Sequence, residues 1–525
     1  MHLRRTELCN QWDLPVSLST PLSTQTLSWR RHNAEFWDSM KNFYQSRNIA
    51  AWDALVPFHI TNNPDYAYRT AKLVSAYMLS CRVEGYTGSF VMIEPGAGLG
   101  QFGYLFLKHL CQLLKLAQFD SSSLTYVMCD TSDATLSFWK KHPQLRRFEQ
   151  EGLLQYEQLE INPDLSVSFS FDCSSLRNQR VILITNYFMD SVNQQPFRLH
   201  DSVYVPYEIN QKRSVLKQKD ELSFTPVHSH HGPYSTLPFY DEVLEEHRLL
   251  DIQNVLMPDG VMSFMRWLDS LTDHPVLALA SDKGFPNPQQ HGYDDRFHII
   301  CTGGYASCVN FFALNRYVSL ALNGSSLSSP SFDSAFCRNI TLTKTALSTL
   351  PLFHMEASSS LGHGVDFYRS RTYRNLVHQS SPSTLDDLFA IFRETGHDPN
   401  ALMFTFERAN QMLSDAQCLN DYPVDDLLSQ LREHYFFTPH QISLRELTCI
   451  VEIALTTKRY RFAEDLLSDF CQWHGQTYDY KKLSGILYFL QSDFSSSAHF
   501  FTDALYDNPD CSVCKEYIAH CEAFL

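Results

Sequence analysis

The stretch "VMIEPGAGLGQFGYLFLKHL", residues 91–110, restricts what this chain can fold into more than any other. A short apolar run ends on the acid Glu94. Glycines stand at 96, 98 and 100, and an amphipathic helical pattern opens at Gln101. A buried strand that turns through glycines into a helix is the entry unit of a doubly wound α/β fold, and the missing Cβ atoms let a ligand approach the backbone. A triphosphate loop would close the glycine run with a lysine and a hydroxyl residue; here Gly100 and Gln101 close it. A dinucleotide loop would carry its third glycine where Gln101 stands. What remains is Glu94-x-Gly96-x-Gly98-x-Gly100, with Ala97 inside the turn.

S-Adenosylmethionine suits that spacing. It has no phosphate but carries an ammonium, a carboxylate, a sulfonium and a ribose. Glu94 at the strand end is placed to position the ammonium, and the helix N-terminus supplies amide donors. The next apolar run, "LTYVMCD", ends on Asp130, an acid able to accept both ribose hydroxyls. Thr131 and Ser132 follow it as further candidates for cofactor contact. A glycine turn in some other doubly wound domain is the plain alternative.

Around this loop the periodicity predicts helices over 33–56, 66–81, 101–117, 133–141 and 240–257. It predicts strands at "FVMIEP", "LTYVMCD", "GLLQYEQLE", "RVILITNYFMD", "VMSFMRWL" and "PVLALASDKG". Asn63 before Pro64 predicts a helix cap. Short apolar strands alternating with helices imply a parallel sheet covered on both faces. Near 380 the strand signals fade. "IVEIALTTKRYRFAEDLLSDFCQWHG" and "SGILYFLQSDFSSSAHFFTDALYDNP" align with a period of 34, matching Ala463 to Ser497 and Leu467 to Phe501. Gly485, Tyr488, Ala504 and Pro509 stand at tetratricopeptide spacings; an unspecialised helical bundle is the alternative. The expected organisation is an N-terminal helical segment (1–82), a sheet domain (83–350) and a helical-repeat domain (380–525).

Charge and cysteine usage narrow the partners. A net charge of -16 with pI near 5.7 argues against nucleic acid or an anionic membrane as the main partner. No apolar run reaches the roughly 18 residues of a membrane span. Fourteen cysteines, mostly single, without a secretory signal pattern, point to a reducing, cytoplasmic setting, with the mitochondrial matrix as a minor alternative. "CSVCKEYIAHC" gathers Cys511, Cys514, His520 and Cys521, but one helix cannot wrap four ligands around a metal, so they read as packed thiols. "HSHHG" at His228 to Gly232 reads as a surface loop. No metal site is expected.

From His59 to about Tyr317 the chain resembles the MidA-type methyltransferases, a family that includes a mitochondrial complex I assembly factor. "FHITNNPDYAYRTAKLV", "IEPGAGLGQF", "YVMCDTSDATLSFWKKH" and "LITNYFMDSVNQQPFRL" carry the resemblance. The last is similar to the family's Asn-Glu-Phe-Phe-Asp-Ala-Leu-Pro signature through Asn186, Phe188, Asp190 and Phe197. Tyr187 stands where the family has glutamate, and "GYASC" (304–308) stands where it has Asp-Ile-Thr-Ala-His. The resemblance implies an α/β, Rossmann-like class I methyltransferase domain, here followed by an all-α helical-repeat domain. It implies transfer of a methyl group from S-adenosylmethionine to a protein side chain, an arginine in the mitochondrial case. Asp190 is then the first candidate to orient an acceptor, since it lies just past a strand's carboxyl end. Asn186 and Tyr187 would line the same rim, and Asp282 is a weaker candidate. The helical repeats would recruit the protein partner. The rival expectation is an assembly or binding protein that keeps the fold with little or no catalysis.

Overall fold

The computed structural model describes residues 28–47, 60–162, 164–214, 219–227, 233–290, 297, 299–301, 305–329, 336–362, 382–415 and 421–525. The "HSHHG" stretch lies outside them.

Nine strands form the central sheet. In chain order they are β1 (Phe90–Pro95), β2 (Leu124–Asp130), β3 (Leu154–Ile161), β4 (Val167–Phe169) and β5 (Arg180–Asn186), then four that follow an insertion. The insertion is a separate antiparallel sheet of β6 (Gln195–His200), β7 (Val203–Ser214), β8 (Lys219–Pro226) and β9 (Asn254–Met257). The central sheet resumes with β10 (Leu277–Phe285). After the small hairpin β11 (Ile299–Cys301) and β12 (Tyr305–Ser307), it ends with β13 (Val309–Asn310), β14 (Ser325–Ser328) and β15 (Phe336–Leu342). Strand order is β14-β15-β10-β5-β1-β2-β3-β4, with β13 paired to β10. The strands β3, β2, β1, β5 and β10 run parallel, and β15 runs against β10. This is the Rossmann-like class I arrangement expected from the sequence. β1 and β5 are buried throughout or nearly so, which is why they read as continuous apolar runs.

The helices of this part are α1 (Ser28–Arg47), α2 (Pro64–Val83), α3 (Gln101–Leu116), α4 (Asp133–Lys141), α5 (Pro143–Gln150), α6 (Tyr240–Leu249), α7 (Asp259–Leu271), α8 (Phe311–Ala321) and α9 (Pro351–Gly362). Asn63 caps α2 as its sequence predicts, accepting from the amide of Tyr66 at 2.9 Å. Two sequence expectations fail. The helix expected over 240–257 stops at Leu249, where Asp251 turns the chain at φ 55°, and "NVLM" becomes β9 against β6. "VMSFMRWL", expected as a strand, lies in α7: Val261, Met262, Phe264, Met265 and Leu268 are buried, a helical spacing. Helix α1 packs on the inserted sheet, with Phe36 and Trp37 against Ile209 and Tyr305. Its Arg30 pairs with the buried Asp259, which also accepts from Tyr240 at 2.7 Å.

The remaining helices are α10 (Leu385–Glu394), α11 (Pro399–Asp415), α12 (Val424–His434), α13 (Gln441–Thr456), α14 (Tyr460–His474), α15 (Tyr478–Leu490), α16 (Phe494–Asp507) and α17 (Ser512–Phe524). The pairs α13–α14 and α15–α16 are successive hairpins. Ala463 and Ser497, matched by the period of 34, are both fully buried. A Cβ on Gly485 would lie 2.9 Å from Phe501, and Ser497 donates to the Gly485 carbonyl at 2.9 Å, so the small residues mark where paired helices touch.

This helical region is built onto the sheet domain. Phe436, 2% exposed, belongs to the same apolar core as Tyr104 and Phe148. Lys108 pairs with Glu433 at 2.7 Å. The His142 ring stacks on Phe436 with centroids 4.3 Å apart, and its Nε2 lies 2.8 Å from the Phe437 carbonyl. Gln144 exchanges hydrogen bonds with the Tyr435 carbonyl and the Phe437 amide, both 2.8 Å.

Candidate cofactor and acceptor site

The chain leaves β1 toward β2 and β3, then returns to β5 on β1's other side. The carboxyl end of β1 is therefore the sheet's switch point, where open α/β sheets bind ligands. The glycine loop occupies it. Gly96, Gly98 and Gly100 take φ 67°, 57° and 83°, left-handed values that a side chain would strain. The Ala97 amide donates to the Cys129 carbonyl at 3.1 Å, tying the loop to the end of β2. Space also demands glycine: a Cβ on Gly100 would sit 2.7 Å from Met128 and 3.0 Å from the Trp139 indole nitrogen. Trp139, fully buried on α4, donates to the Gly98 carbonyl at 3.1 Å and supports the loop from beneath. Trp139 stands inside "YVMCDTSDATLSFWKKH", one of the stretches that carry the family resemblance, but no local motif marks it as a support for the loop.

Glu94 lies under the loop and is 3% exposed. Its Oε2 accepts from Tyr126 at 2.7 Å and would lie 3.2 Å from a Cβ on Gly103. Burial pushes this carboxyl up to about 8, against the pull of the Tyr126 hydroxyl. The side chain thus braces the turn from β1 into α3. Asp130 ends β2 half-buried, with Oδ1 accepting from the Ser132 amide at 2.9 Å. Burial raises its carboxyl to about 6, although the Ser132 and Thr131 amides pull the other way. Ser132 caps α4 through its hydroxyl, and Thr131 is half-buried between the two. Asp130, Thr131 and Ser132 therefore form one turn beside the glycine loop.

The rim of β5 and β10 is equally built. Asn186 ends β5, and its Oδ1 accepts from Tyr66 at 2.8 Å; the same hydroxyl lies 2.5 Å from Ser281 Oγ. Asn186 Nδ2 is buried with no hydrogen-bond partner among the described residues. Tyr187 takes φ 50°, a strained value for an aromatic residue, and its amide donates to the Ser281 carbonyl at 3.0 Å. Phe188 covers the loop, 3.1 Å from a Cβ on Gly96. Asp190 is 3% exposed and pairs with Lys283 Nζ at 3.5 Å; burial raises its carboxyl while Lys283 lowers it. Asp282 is fully buried. It accepts from the amides of Met189 at 2.8 Å, Asp190 at 3.1 Å and Lys283 at 2.8 Å, so it fixes the turn that carries Asp190. Ser307, from the divergent "GYASC" stretch, donates to the Asp190 carbonyl at 3.0 Å.

The structure thus gathers Glu94, Gly96, Ala97, Gly98, Gly100, Asp130, Thr131 and Ser132 around one strand end. Asn186, Tyr187 and Asp190 lie on the neighbouring end. Asp190 is already matched to a cation of this chain. Lys283, the residue sequence reasoning missed, carries no motif that would have revealed it. On the loop's outer flank, Asn62, Leu99 and Gln101 face Phe436, His440 and Glu446 across a small cavity, so the helical region covers that side. Among the described residues, no group of three or more His, Cys, Asp or Glu side chains is arranged to hold a metal ion. None of their helices is long and apolar enough to cross a membrane.

Comparison with known proteins adds little. No protein-family model and no curated protein matches the chain. Among solved structures, a COG1565 superfamily protein from Burkholderia thailandensis, provisionally described as a methyl transferase and bound to S-adenosyl-homocysteine, superposes with a TM-score of 0.40 at 12% identity, covering 64% of this chain and 98% of its own. A native structure of an uncharacterised COG1565 protein from the same organism gives 0.38 at 13% identity, with 63% and 97% covered. Likeness at this level carries no argument about the chemistry of this chain.

Proposed function

We propose that the chain is an S-adenosylmethionine-dependent methyltransferase. One observation carries this reading: a left-handed glycine loop at the sheet's switch point, with Asp130 ending the adjacent strand. The residues fit the cofactor. Gly96 leaves exposed backbone on the loop, Gly98 and Gly100 hold the turn in its left-handed conformation, Asp130 offers a half-buried carboxylate for ribose hydroxyls, and Asn186 Nδ2 is a buried donor in want of an acceptor. Glu94 holds the loop, and in its protonated form it can also donate toward the amino-acid portion. The bound cofactor supplies an electrophilic methyl group on a sulfonium.

The chain's own contribution is positioning, worth about 7–11 kcal/mol in favourable cases. Asp190, Asn186 and Tyr187 face the acceptor side. By family resemblance the acceptor is a protein side chain, an arginine in the mitochondrial case, and the helical repeats recruit the protein that carries it. To orient a guanidinium, Asp190 must exchange Lys283 for the incoming cation. The Asp190–Lys283 pair equally favours a second reading, an assembly or binding protein with this fold and little turnover. The acidic composition fits a cytoplasmic protein partner rather than nucleic acid or membrane in either case.

Calorimetry with S-adenosylmethionine tests the first part, and transfer of a tritiated methyl group to a lysate of the source cells tests the second. Binding with transfer supports the enzyme. Binding without transfer leaves the assembly reading. A parent chain that does not bind removes the cofactor, and a folded Gly98→Arg that binds with unchanged affinity moves the site away from the loop.

A further inference from the structure

The last helix opens on a dithiol that methyl transfer does not use. Cys511 is the N-cap of α17, and its Sγ accepts from the Cys514 amide at 3.4 Å. The Tyr478 hydroxyl donates to the same sulfur at 3.0 Å. Cys511 is half-buried at the surface, whereas Cys514 is fully buried in a cluster with Phe501 and Ala504. Helix geometry sets residues three apart on one turn at a Cα separation of about 5 Å. That lies within the roughly 4–7 Å a disulfide spans.

The two thiols are chemically unequal. Burial pulls Cys511 up, but hydrogen bonds from Tyr478 and the Cys514 and Val513 amides outweigh it and leave this thiol below its ordinary value. Burial pushes Cys514 up to about 11. A half-buried surface thiol capping a helix N-terminus, its thiolate favoured by three hydrogen-bond donors, with a buried protonated partner behind it, is the arrangement thiol–disulfide exchange requires. A four-ligand metal site is not assembled. Cys521 is turned inward, 3.4 Å from Ser497 Oγ, and His520 lies against the Phe489 ring.

We propose that Cys511 and Cys514 form a reversible dithiol–disulfide site that exchanges with small disulfides of the glutathione type. The Cys511 thiolate attacks one sulfur of RS–SR. The S–S bond breaks, one RS⁻ leaves and takes a proton from water, and a mixed disulfide forms on Cys511. Cys514 then releases its proton to solvent and attacks Cys511 Sγ. The second RS⁻ leaves, is protonated in turn, and the Cys511–Cys514 disulfide closes. Two protein thiols are oxidised and one external disulfide is reduced to two thiols, so no other oxidant is required.

The test equilibrates the full chain in mixtures of reduced and oxidised glutathione, quenches with acid, alkylates, and reads the peptide holding both cysteines by mass spectrometry. An unalkylated peptide about 2 Da lighter than the dithiol form should grow with the oxidised fraction, through loss of two hydrogens. Cys514→Ala should instead accumulate glutathione on Cys511. Cys511→Ser, which keeps a capping hydroxyl, should give neither product. Tyr478→Phe should slow alkylation of Cys511 several-fold at neutral pH. The proposal is overturned if no mixture closes the disulfide, or if Cys511 alkylates no faster than the half-buried Cys471 of the same sample. Stoichiometric zinc that shields both thiols in the purified protein also overturns it, in favour of a metal site.

Discussion

The indole nitrogen of Trp139 donates to the carbonyl of Gly98 at 3.1 Å, and the same ring blocks any side chain at Gly100. One buried tryptophan thus sets both the conformation of the glycine loop and its tolerance to change. Trp139→Phe keeps most of the packing but leaves the Gly98 carbonyl without its donor. A cost of about 1–3 kcal/mol is expected, divided between stability and loop geometry. Calorimetry should show S-adenosylmethionine binding weakened by about tenfold. A variant that melts earlier yet binds with parental affinity would show that the loop's shape does not depend on this bond.

Asp130 trades stability for binding. Its folded value of about 6 stands above the ordinary 3.8, chiefly through burial. As pH falls from 6 toward 3.8 the folded chain takes up this proton before the unfolded chain, so ionised Asp130 destabilises the empty protein at neutral pH. Asp130→Asn should therefore stabilise the empty protein by about 1 kcal/mol, after allowing for screening at the half-exposed rim, and raise its melting point accordingly. The same variant should weaken cofactor binding by about 1.5–3 kcal/mol, the worth of hydrogen bonds to a charged group. In the parent chain, affinity should decline below pH 6 as the carboxylate is protonated. Unchanged affinity in Asp130→Asn removes the ribose assignment.

The central sheet was legible in the sequence because its strands are buried on both faces and bounded by turn residues. β1 and β2 fall where "FVMIEP" and "LTYVMCD" stand. The α7 segment was misread because a short, dense apolar run shows no period by eye; only the spacing of Met262, Met265 and Leu268 distinguishes helix from strand. The inserted sheet was not legible because β7 opens on the unbroken apolar run Val203–Tyr207 before turning polar, and no Asn-Gly, Asp-Gly or Gly-Gly pair marks its hairpin with β8. The glycine loop and Asp130 were readable as local motifs. The Asp190–Lys283 pair and the Trp139 support were not, because each joins residues from separate elements. Likewise nothing in "HYFFTPH" announces that Phe436 completes the core of another part of the chain.

The junction between sheet domain and helices should be acid-labile. Burial lowers His142 to about 4, against the Phe437 carbonyl, and its Nδ1 has no hydrogen-bond partner among the described residues. His109 is lowered to about 4 and His434 to about 3, again chiefly by burial, with Lys108 adding to each. These imidazoles are neutral in the folded chain, while the unfolded chain binds protons from pH 6.5 downward. The stability they contribute is fully present above pH 6.5 and is lost as pH falls through about 4. For His142 alone this is on the order of 3 kcal/mol. The expected outcome is a melting point that falls steeply between pH 6.5 and 4, with the fall reduced in His142→Gln. A flat profile across that window would mean that the junction opens to water before these groups titrate.

Phe436 fixes how the helical region relates to the sheet domain. Its ring lies between Tyr104, 5.4 Å away, and His142, 4.3 Å away, and it is 2% exposed. Removing residues 380–525 would strip this ring from the core and expose Tyr104, Lys108 and His142 together. The truncated sheet domain should therefore be poorly soluble and should not bind cofactor, even though no glycine-loop residue is deleted. Phe436→Ala separates this effect from loss of the helices themselves. It should cost about 3–5 kcal/mol, the usual range for a buried phenylalanine. Its weakened hold should also loosen the cavity wall beside Leu99 and Gln101, so that cofactor affinity falls along with stability. If the helices instead act only as a docking module, the truncated chain will remain soluble and bind S-adenosylmethionine as the full chain does. Phe436→Ala would then alter melting of the helical part alone. Differential scanning calorimetry of both variants, with and without S-adenosylmethionine, distinguishes the two outcomes.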